Sequence, residues 1–279
     1  MWRDAAGTVH ERAADSARIV SLVPSITELL CDLGLSAKLV GRTGFCVHPR
    51  ETLKRIPEVG GTKDVNLGKV RALAPTHALL NIDENEKPTA EALAQFVPHL
   101  VVTHPLAPPD NPPLYRLIGG IFGREQAAEA LCAQFQRAHN ALAQAARAWP
   151  RQRVLYLIWK DPWMAVARDT YISRTLALAG WDTVPANATA RYPQVKLNEA
   201  LLRDAELVLL SSEPYRFRDR DLAELRALPV MRGKTVALID GEMTSWYGSR
   251  AVAGMDYLRR FRENLAGGDS QENRFGQSR

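Results

Sequence analysis

The sequence predicts an α/β fold with two lobes, each a three-layer α/β/α unit, joined by one long helix. Three observations support this: strands alternate with helices, the alternation repeats after residue 150, and a long amphipathic segment lies between the two halves. The chain has 279 residues, of which 46% are hydrophobic and 24% are charged. This composition is typical of a globular protein that is large enough to bury a core.

The first half begins with a strand and a helix. Residues 18–23 (RIVSLV) are apolar and β-branched, and Pro24 ends them before a helical pattern that runs to Gly34. Further short strands are predicted at residues 39–41, 77–82 and 100–103, with helical patterns at residues 65–73 and 89–96. Strands separated by helices indicate a parallel sheet.

The same order of motifs returns in the second half. Residues 153–158 (RVLYLI) resemble residues 18–23, and residues 195–210 resemble residues 65–80. Internal similarity of this kind indicates two similarly built, Rossmann-like lobes.

Residues 124–149 carry one apolar stripe, because Leu131, Phe135, Ala138 and Leu142 recur at helical spacing. A helix of that length spans roughly 39 Å, enough to link two lobes as a stiff spine. We therefore predict an N-terminal lobe at 18–122, a linking helix at 123–150 and a C-terminal lobe at 151–265. Residues 1–17 and 266–279 lack periodicity, and we expect disordered tails there.

Composition excludes several classes of function. The net charge of +5, from 36 basic and 31 acidic residues, is too small and dispersed to indicate nucleic-acid binding. The apolar runs are far shorter than the roughly 20 residues that cross a bilayer. Three cysteines at long spacings indicate neither a disulfide framework nor a zinc site. We expect a monomer.

The first 17 residues mix charges of both signs and lack the apolar core of a secretory signal. This favours a cytoplasmic location. A periplasmic location is the alternative, and it would follow if the start codon were wrongly assigned.

Ligands of open α/β sheets bind beside the carboxyl ends of strands, so residues that follow strands are the site candidates. His48 follows the second strand together with Cys46, and its imidazole could face a metal or be satisfied by backbone groups. Asp83 and Glu84 follow the strand at 77–82. Their carboxylates suit a cation, a basic group of a ligand, or the start of the next helix.

Two loops of the second half add aromatic and charged candidates. Trp163 follows the strand at 153–158 and, like Trp159, suits either a flat ligand or core packing. The loop at 240–250 combines an acid, two aromatic residues and a cation, namely Glu242, Trp246, Tyr247 and Arg250. Arg250 could pair with a carboxylate or phosphate of a ligand, or with Asp256 or Glu242.

Several motifs together resemble one family of binding proteins. They are the run from Ser21 to Glu28, the Val59–Thr62 turn followed by Val65-Asn-Leu, the strand His77–Asn81, the long middle helix, and the Tyr192–Val195 segment. In this order they are similar to the helical-backbone metal receptors, substrate-binding proteins that carry cobalamin, haem and ferric siderophores to importers. The resemblance implies a ligand clamped in a cleft between the two lobes. It also implies ligand contacts at His48, Trp163 and Tyr192.

The resemblance raises a question about the transport partner. In transporter-coupled members, an acidic residue on each lobe docks onto arginines of the permease. Those places fall on Gly68 and Asn198 here, although Glu199 follows the second. An ABC permease partner is therefore doubtful from the sequence.

We predict a non-enzymatic protein that binds a metal chelate, with cobalamin or a related tetrapyrrole first, and no covalent cofactor. A ferric-siderophore or haem component of an ABC importer is one alternative. The common hydrolase, zinc-protease and nucleotide motifs are absent from the sequence. A chelatase-like enzyme that uses His48 with Glu84 or Glu242 is nevertheless a second alternative. An interaction module whose cleft is filled by the 240–250 loop is the third.

Overall fold

The protein divides into two compact α/β units in a computed structural model that describes residues 1–266. The N-terminal unit consists of Met1–Pro105, Pro109–Phe135 and the short segment Tyr247–Arg250, which we call the return segment. The C-terminal unit consists of Leu106–Pro108, Gln136–Trp246 and the described residues from Ala251 to 266.

The N-terminal unit is a four-stranded parallel sheet preceded by a small hairpin. The hairpin strands are β1 (Trp2–Arg3) and β2 (Val9–His10), and the sheet strands are β3 (Ile19–Ser21), β4 (Leu39–Arg42), β5 (His77–Asn81) and β6 (His99–Thr103). The sheet has the order β4-β3-β5-β6, so the direction of chain progression reverses at β3. Its helices are α1 (Pro24–Asp32), α2 (Arg50–Leu53), α3 (Leu67–Ala72), α4 (Lys87–Leu93) and α5 (Asn111–Ile121).

Local sequence explains where these elements begin and end. Pro24 opens α1, because its fixed φ suits the first helical turn. Gly34 follows the helix at φ +74°, a conformation that glycine adopts without strain. The apolar strand residues form one buried cluster with the covering helices, which includes Val20, Ala78 and Leu80.

The predicted disordered segment 1–17 is folded instead. Backbone groups of the hairpin lie along β6, an edge strand of the sheet. The carboxylate of Asp4 accepts a hydrogen bond from the Val102 N–H at 3.0 Å and contacts His10 Nε2 at 3.0 Å. Trp2 also packs against Gly120 of α5, where an added Cβ would lie 2.0 Å from its indole ring. Because isolated contacts of this kind hold the segment, it carries no hydrophobic period for sequence analysis to detect. Nearly all of the other predicted tail, 266–279, lies outside the described residues.

The predicted linking helix is present as α6 (Glu125–Ala146). The boundary between the two units falls within it, after Phe135. Its predicted apolar stripe is buried, with Leu131 at 9%, Phe135 at 3% and Leu142 at 0% exposure. This amphipathic pattern is what made the helix predictable.

The C-terminal unit is a five-stranded sheet. Its strands are β7 (Gln152–Trp159), β8 (Met164–Ala165), β9 (Trp181–Thr183), β10 (Leu207–Ser211) and β11 (Thr235–Ile239). The order is β11-β10-β7-β8, with β9 also paired to β7, and all except β8 are parallel to β7 or β10. Its helices are α7 (Tyr171–Leu178), α8 (Glu199–Arg203), α9 (Asp219–Arg226), α10 (Gly241–Ser245) and α11 (Arg250–Ala266).

Strand β7 is the counterpart of β3. Strand β10 pairs with one side of β7 and β9 with the other, so this sheet also reverses direction at its first parallel strand. The similarity between residues 153–158 and 18–23 thus corresponds to equivalent positions in the two sheets.

Candidate ligand-binding site

The candidate residues lie where open α/β sheets bind ligands, at the carboxyl ends of strands beside a reversal of strand order. In the N-terminal unit, His48 follows β4 and the acids Asp83 and Glu84 follow β5. In the C-terminal unit, Trp163 follows β7 and Trp246 follows β11 by way of α10.

Asparagines fix the acidic turn after β5. The side-chain oxygen of Asn85 accepts from the Asn81 N–H at 2.9 Å, and the Asn81 side-chain oxygen accepts from the Asp83 N–H at 2.8 Å. Asp83 is partly exposed, with Oδ1 3.4 Å from Nε2 of His104. The turn therefore presents the Asp83 carboxylate from a backbone that is held in place.

Glu84 binds the return segment. The Tyr247 hydroxyl donates to the Glu84 carboxylate. Burial, together with the charge of Glu84, raises the pKa of Tyr247 well above its ordinary value, which keeps the hydroxyl a donor. Next to it, the Gly248 N–H donates to Asn111 Oδ1 at 2.7 Å, and its carbonyl accepts from the Tyr115 hydroxyl at 2.8 Å.

Arg250 forms a two-pronged ion pair with Glu28 of α1, at 2.8 Å from Nε and 2.6 Å from Nη2. Their side chains are only 11% and 15% exposed. Burial raises the pKa of Glu28, although Arg250 and His48 oppose the shift. Glu28 is a partner for Arg250 that the sequence did not suggest.

His48 and Cys46 have different surroundings. Cys46 is 2% exposed, and its sulfur lies 3.1 Å from Thr27 Oγ1 and 3.2 Å from Thr43 Oγ1. His48 is half-buried in the same loop. Within residues 1–266, no group of three or more His, Cys, Asp or Glu side chains is arranged to hold a metal ion. A metal contact by His48 stays a prediction.

The C-terminal unit contains an aromatic cluster, formed by Trp159, Trp163, Tyr215 and Phe217. Trp163 stacks on Phe217 with a centroid distance of 6.0 Å and an interplanar angle of 3°. Tyr215 meets Phe217 edge-on at 4.7 Å, and Trp159 meets Tyr215 edge-on at 5.7 Å. Phe217 is buried, whereas Trp163 is half-buried and Trp159 is 39% exposed. The cluster at the ends of β7 and β10 therefore contains one buried ring and other rings that are partly exposed.

Tyr192 lies beside this cluster along the backbone. The Ala165 N–H donates to the Pro193 carbonyl at 3.0 Å, and the Val195 N–H donates to the Trp163 carbonyl at 2.9 Å. The Tyr192 ring, which is 40% exposed, is therefore carried on a segment paired with the chain that bears Trp163.

Helix α10 places Glu242 and Trp246. Asp240 caps the helix by accepting from the Glu242 N–H at 3.0 Å. At the other end, the Trp246 indole N–H donates to Glu213 Oε1 at 2.9 Å, and the Ser245 hydroxyl donates to the same oxygen at 2.6 Å. Burial, helped by the nearby Glu242 charge, raises the pKa of Glu213 to about 6.

The four candidates of the 240–250 loop are thus divided between the units. Glu242 and Trp246 belong to the C-terminal unit, and Tyr247 and Arg250 belong to the N-terminal unit. Sequence reasoning missed their partners Glu28 and Glu213. It also missed Tyr215 and Phe217, although, like Glu213, they follow strand β10 and the strand-end rule could have found all three.

The two α/β units, with polar and aromatic side chains at the strand ends, define the class of two-lobed ligand-binding proteins. Residues 19–235 match the periplasmic binding protein family, and the chain belongs to this family. The class expected from the sequence motifs is thereby confirmed, and the protein is a binding protein rather than an enzyme. The chelatase-like alternative has no support among the similar proteins.

Individual relatives and structures agree with this family. The chain is 26% identical over 253 residues to a vitamin B12-binding protein of Photorhabdus laumondii, covering 89% of each chain. It shares its fold with a periplasmic vitamin B12-binding protein of Vibrio cholerae, at TM-score 0.77 and 17% identity, covering 89% of this chain and 97% of that one. A periplasmic heme-binding protein from Roseiflexus sp. RS-1 matches at TM-score 0.77 and 21% identity, covering 90% and 99%.

The helices of residues 1–266 are short or polar compared with a membrane-spanning helix. None of them is at once long enough and apolar enough to cross a bilayer.

Proposed function

We propose that this protein binds a metal chelate of the tetrapyrrole class, with a corrinoid as the first candidate. The observation that carries the proposal is the aromatic cluster at the carboxyl ends of β7 and β10. A flat macrocycle offers a large apolar face, and rigid half-exposed rings such as Trp163 bind such faces at low entropic cost. The vitamin B12-binding relatives support a corrinoid over other chelates.

We assign the candidate residues two different tasks. The ligand contacts in this proposal are His48, Asp83, Trp163, Tyr192, Glu242 and Trp246. Glu84, Tyr247 and Arg250 are engaged in holding the return segment, so their contribution is to the shape of the N-terminal unit.

Haem is the second candidate, because solved structures of similar fold include heme-binding proteins from Roseiflexus and Vibrio cholerae. Haem presents the same kind of flat face but carries propionates and an iron that accepts protein ligands. Under this alternative His48 would be the iron ligand to test.

Titration of the full chain with cyanocobalamin, cobinamide, haemin and a ferric hydroxamate distinguishes the candidates. We expect cyanocobalamin to bind most tightly in calorimetry, with haemin next. A hydroxamate preference would favour the ferric-siderophore alternative. If no compound binds more tightly than about 100 μM, roughly −5.5 kcal/mol, the metal-chelate proposal is wrong.

We propose a periplasmic location, the alternative left open by the sequence, because proteins of similar fold are described as periplasmic. Cell fractionation against marker enzymes of both compartments tests it. The partner in this setting is an import permease. Its docking must differ from an arginine-acid pairing on both units, since Gly68 has no charge and Asn198 caps α8 by accepting from the Leu201 N–H at 3.0 Å. Glu199 is the remaining acid at that helix start.

A further inference from the structure

Glu213 and the end of helix α10 form a built contact. One carboxylate oxygen of Glu213 accepts both the Trp246 indole N–H at 2.9 Å and the Ser245 hydroxyl at 2.6 Å. The start of the helix is equally close, because a Cβ on Gly241 would lie 2.5 Å from Glu213 Cγ. The Glu213 side chain therefore meets α10 at both ends.

This contact has an electrostatic cost. Glu213 is largely buried, and the carboxylates of Glu242 and Asp240 lie near enough to disfavour its charge. The Tyr156 hydroxyl, which hydrogen-bonds Ser211 at 3.0 Å, is also close enough to feel that charge. A neutral side chain of similar size would fill the same space without this repulsion. The carboxylate therefore contributes more than packing, namely a charged acceptor for the two hydrogen bonds from α10.

We propose that Glu213 is the positioning residue of the ligand site: its carboxylate fixes the orientation of the Trp246 indole before the ligand arrives. The inference rests on the proposed function, in which Trp246 contacts the flat face of the chelate. An indole that is already ordered loses less freedom when the ligand binds, and this raises affinity.

The positioning depends on the charge of Glu213. A charge-assisted hydrogen bond is stronger than a neutral one, so protonation of the carboxyl weakens its hold on Trp246 and Ser245. Because the pKa of Glu213 is raised to about 6, this weakening occurs in mildly acidic solution. The other groups facing Glu213 from α10 and its cap, Glu242 and Asp240, oppose the charged form and act in the same direction.

The first measurement uses the ligand-free full chain. The indole N–H resonance of Trp246, assigned with Trp246→Phe, should titrate with a midpoint near pH 6. Glu213→Gln keeps an acceptor oxygen but is neutral at every pH, so its resonance should lie near the low-pH position of the unmodified protein and should not titrate. Glu213→Leu removes the acceptor and should shift and broaden the indole resonance. Glu263→Gln, the same change at an exposed position of α11, should leave the titration as it is.

The second measurement is the affinity for cyanocobalamin at pH 7.5 and pH 5. The unmodified protein should bind about fivefold more weakly at pH 5, the usual gap between a charge-assisted and a neutral hydrogen bond. Glu213→Gln should bind equally at both pH values. An indole resonance unaltered in Glu213→Leu would overturn the positioning role. A titrating resonance in a protein that binds no chelate would leave that role intact and reject the proposed function.

Discussion

Trp163 packs against the core of the C-terminal unit and is also partly exposed. One face stacks on the buried ring of Phe217, and the residue as a whole stays half-buried. The sequence left core packing and ligand contact open as alternatives. The structure supports the packing directly, and the exposed remainder is what the proposed function uses.

We expect Trp163→Ala to lower both stability and affinity. Loss of the stacked contact should reduce the free energy of unfolding by about 1–3 kcal/mol, and loss of the ligand face should weaken cyanocobalamin binding by a similar amount. Urea unfolding and calorimetry measure the two effects. Trp181→Ala is the control: this tryptophan is fully buried at the start of β9, so it should cost about 3–5 kcal/mol of stability while the folded fraction binds normally.

The positions of several candidate residues after strands were predictable, and the partners of these residues were not. His48, Asp83 and Trp163 follow strands that the hydrophobic pattern reveals. Glu28, by contrast, meets Arg250 across 222 positions of sequence. Such a pairing depends on which strands are neighbours and on where the return segment packs. The local sequence predicts neither of these.

The return segment is an element held by polar contacts rather than by an apolar face. It has no hydrophobic period, and its anchors in the N-terminal unit include Glu28, Glu84, Asn111 and Tyr115. The hairpin β1–β2, which combines polar contacts with the packed ring of Trp2, has no such period either, and the sequence also failed to reveal it. Helix α6 and the apolar sheet strands, in contrast, were predicted because burial gives them a pattern.

Breaking the ion pair of the return segment should destabilise the protein strongly. Arg250→Met leaves the buried Glu28 carboxylate without that cation, and we expect a loss of about 2–4 kcal/mol in urea unfolding. Adding Glu28→Gln to Arg250→Met should restore part of the lost free energy of unfolding, because the buried negative charge that has lost Arg250 is then removed. Glu129→Gln breaks a similar two-pronged pair with Arg116 that is exposed, and it should change stability little. Equal losses in the two single variants would contradict this account.

Groups with shifted pKa values should make opposite contributions to stability in acid, and the N-terminal unit contains groups of both kinds. In the N-terminal unit, burial, followed by the charges of His99 and His10, lowers the pKa of His77 to about 4. The folded state then favours the neutral imidazole, and stability falls as the pH drops from about 6.5 to about 4. In the C-terminal unit, the raised pKa of Glu213 has the reverse sign: stability rises as the pH drops from about 6 to about 4.5. Glu28 also acts in that sense.

The variant His77→Gln separates the contribution of His77 to acid stability from those of the two glutamates. Removal of the imidazole should abolish a loss of about 3 kcal/mol between pH 6.5 and pH 4. Urea unfolding at pH 7, 6, 5 and 4 measures it. The histidine of α6 serves as control, and His139→Gln should retain the acid loss. A His77→Gln protein that loses as much stability in acid as the unmodified chain would show that His77 is not its source.

The two-unit plan follows from the internal similarity of the sequence. The return segment, however, belongs to the N-terminal unit, and this has a consequence for biosynthesis. The N-terminal unit is the first to leave the ribosome, yet residues 247–250 belong to it. The contacts of Glu28, Glu84 and Tyr115 with the return segment therefore cannot form until the strands of the C-terminal unit have been translated. The unit that is synthesised first is completed last, only when nearly the whole chain has been made.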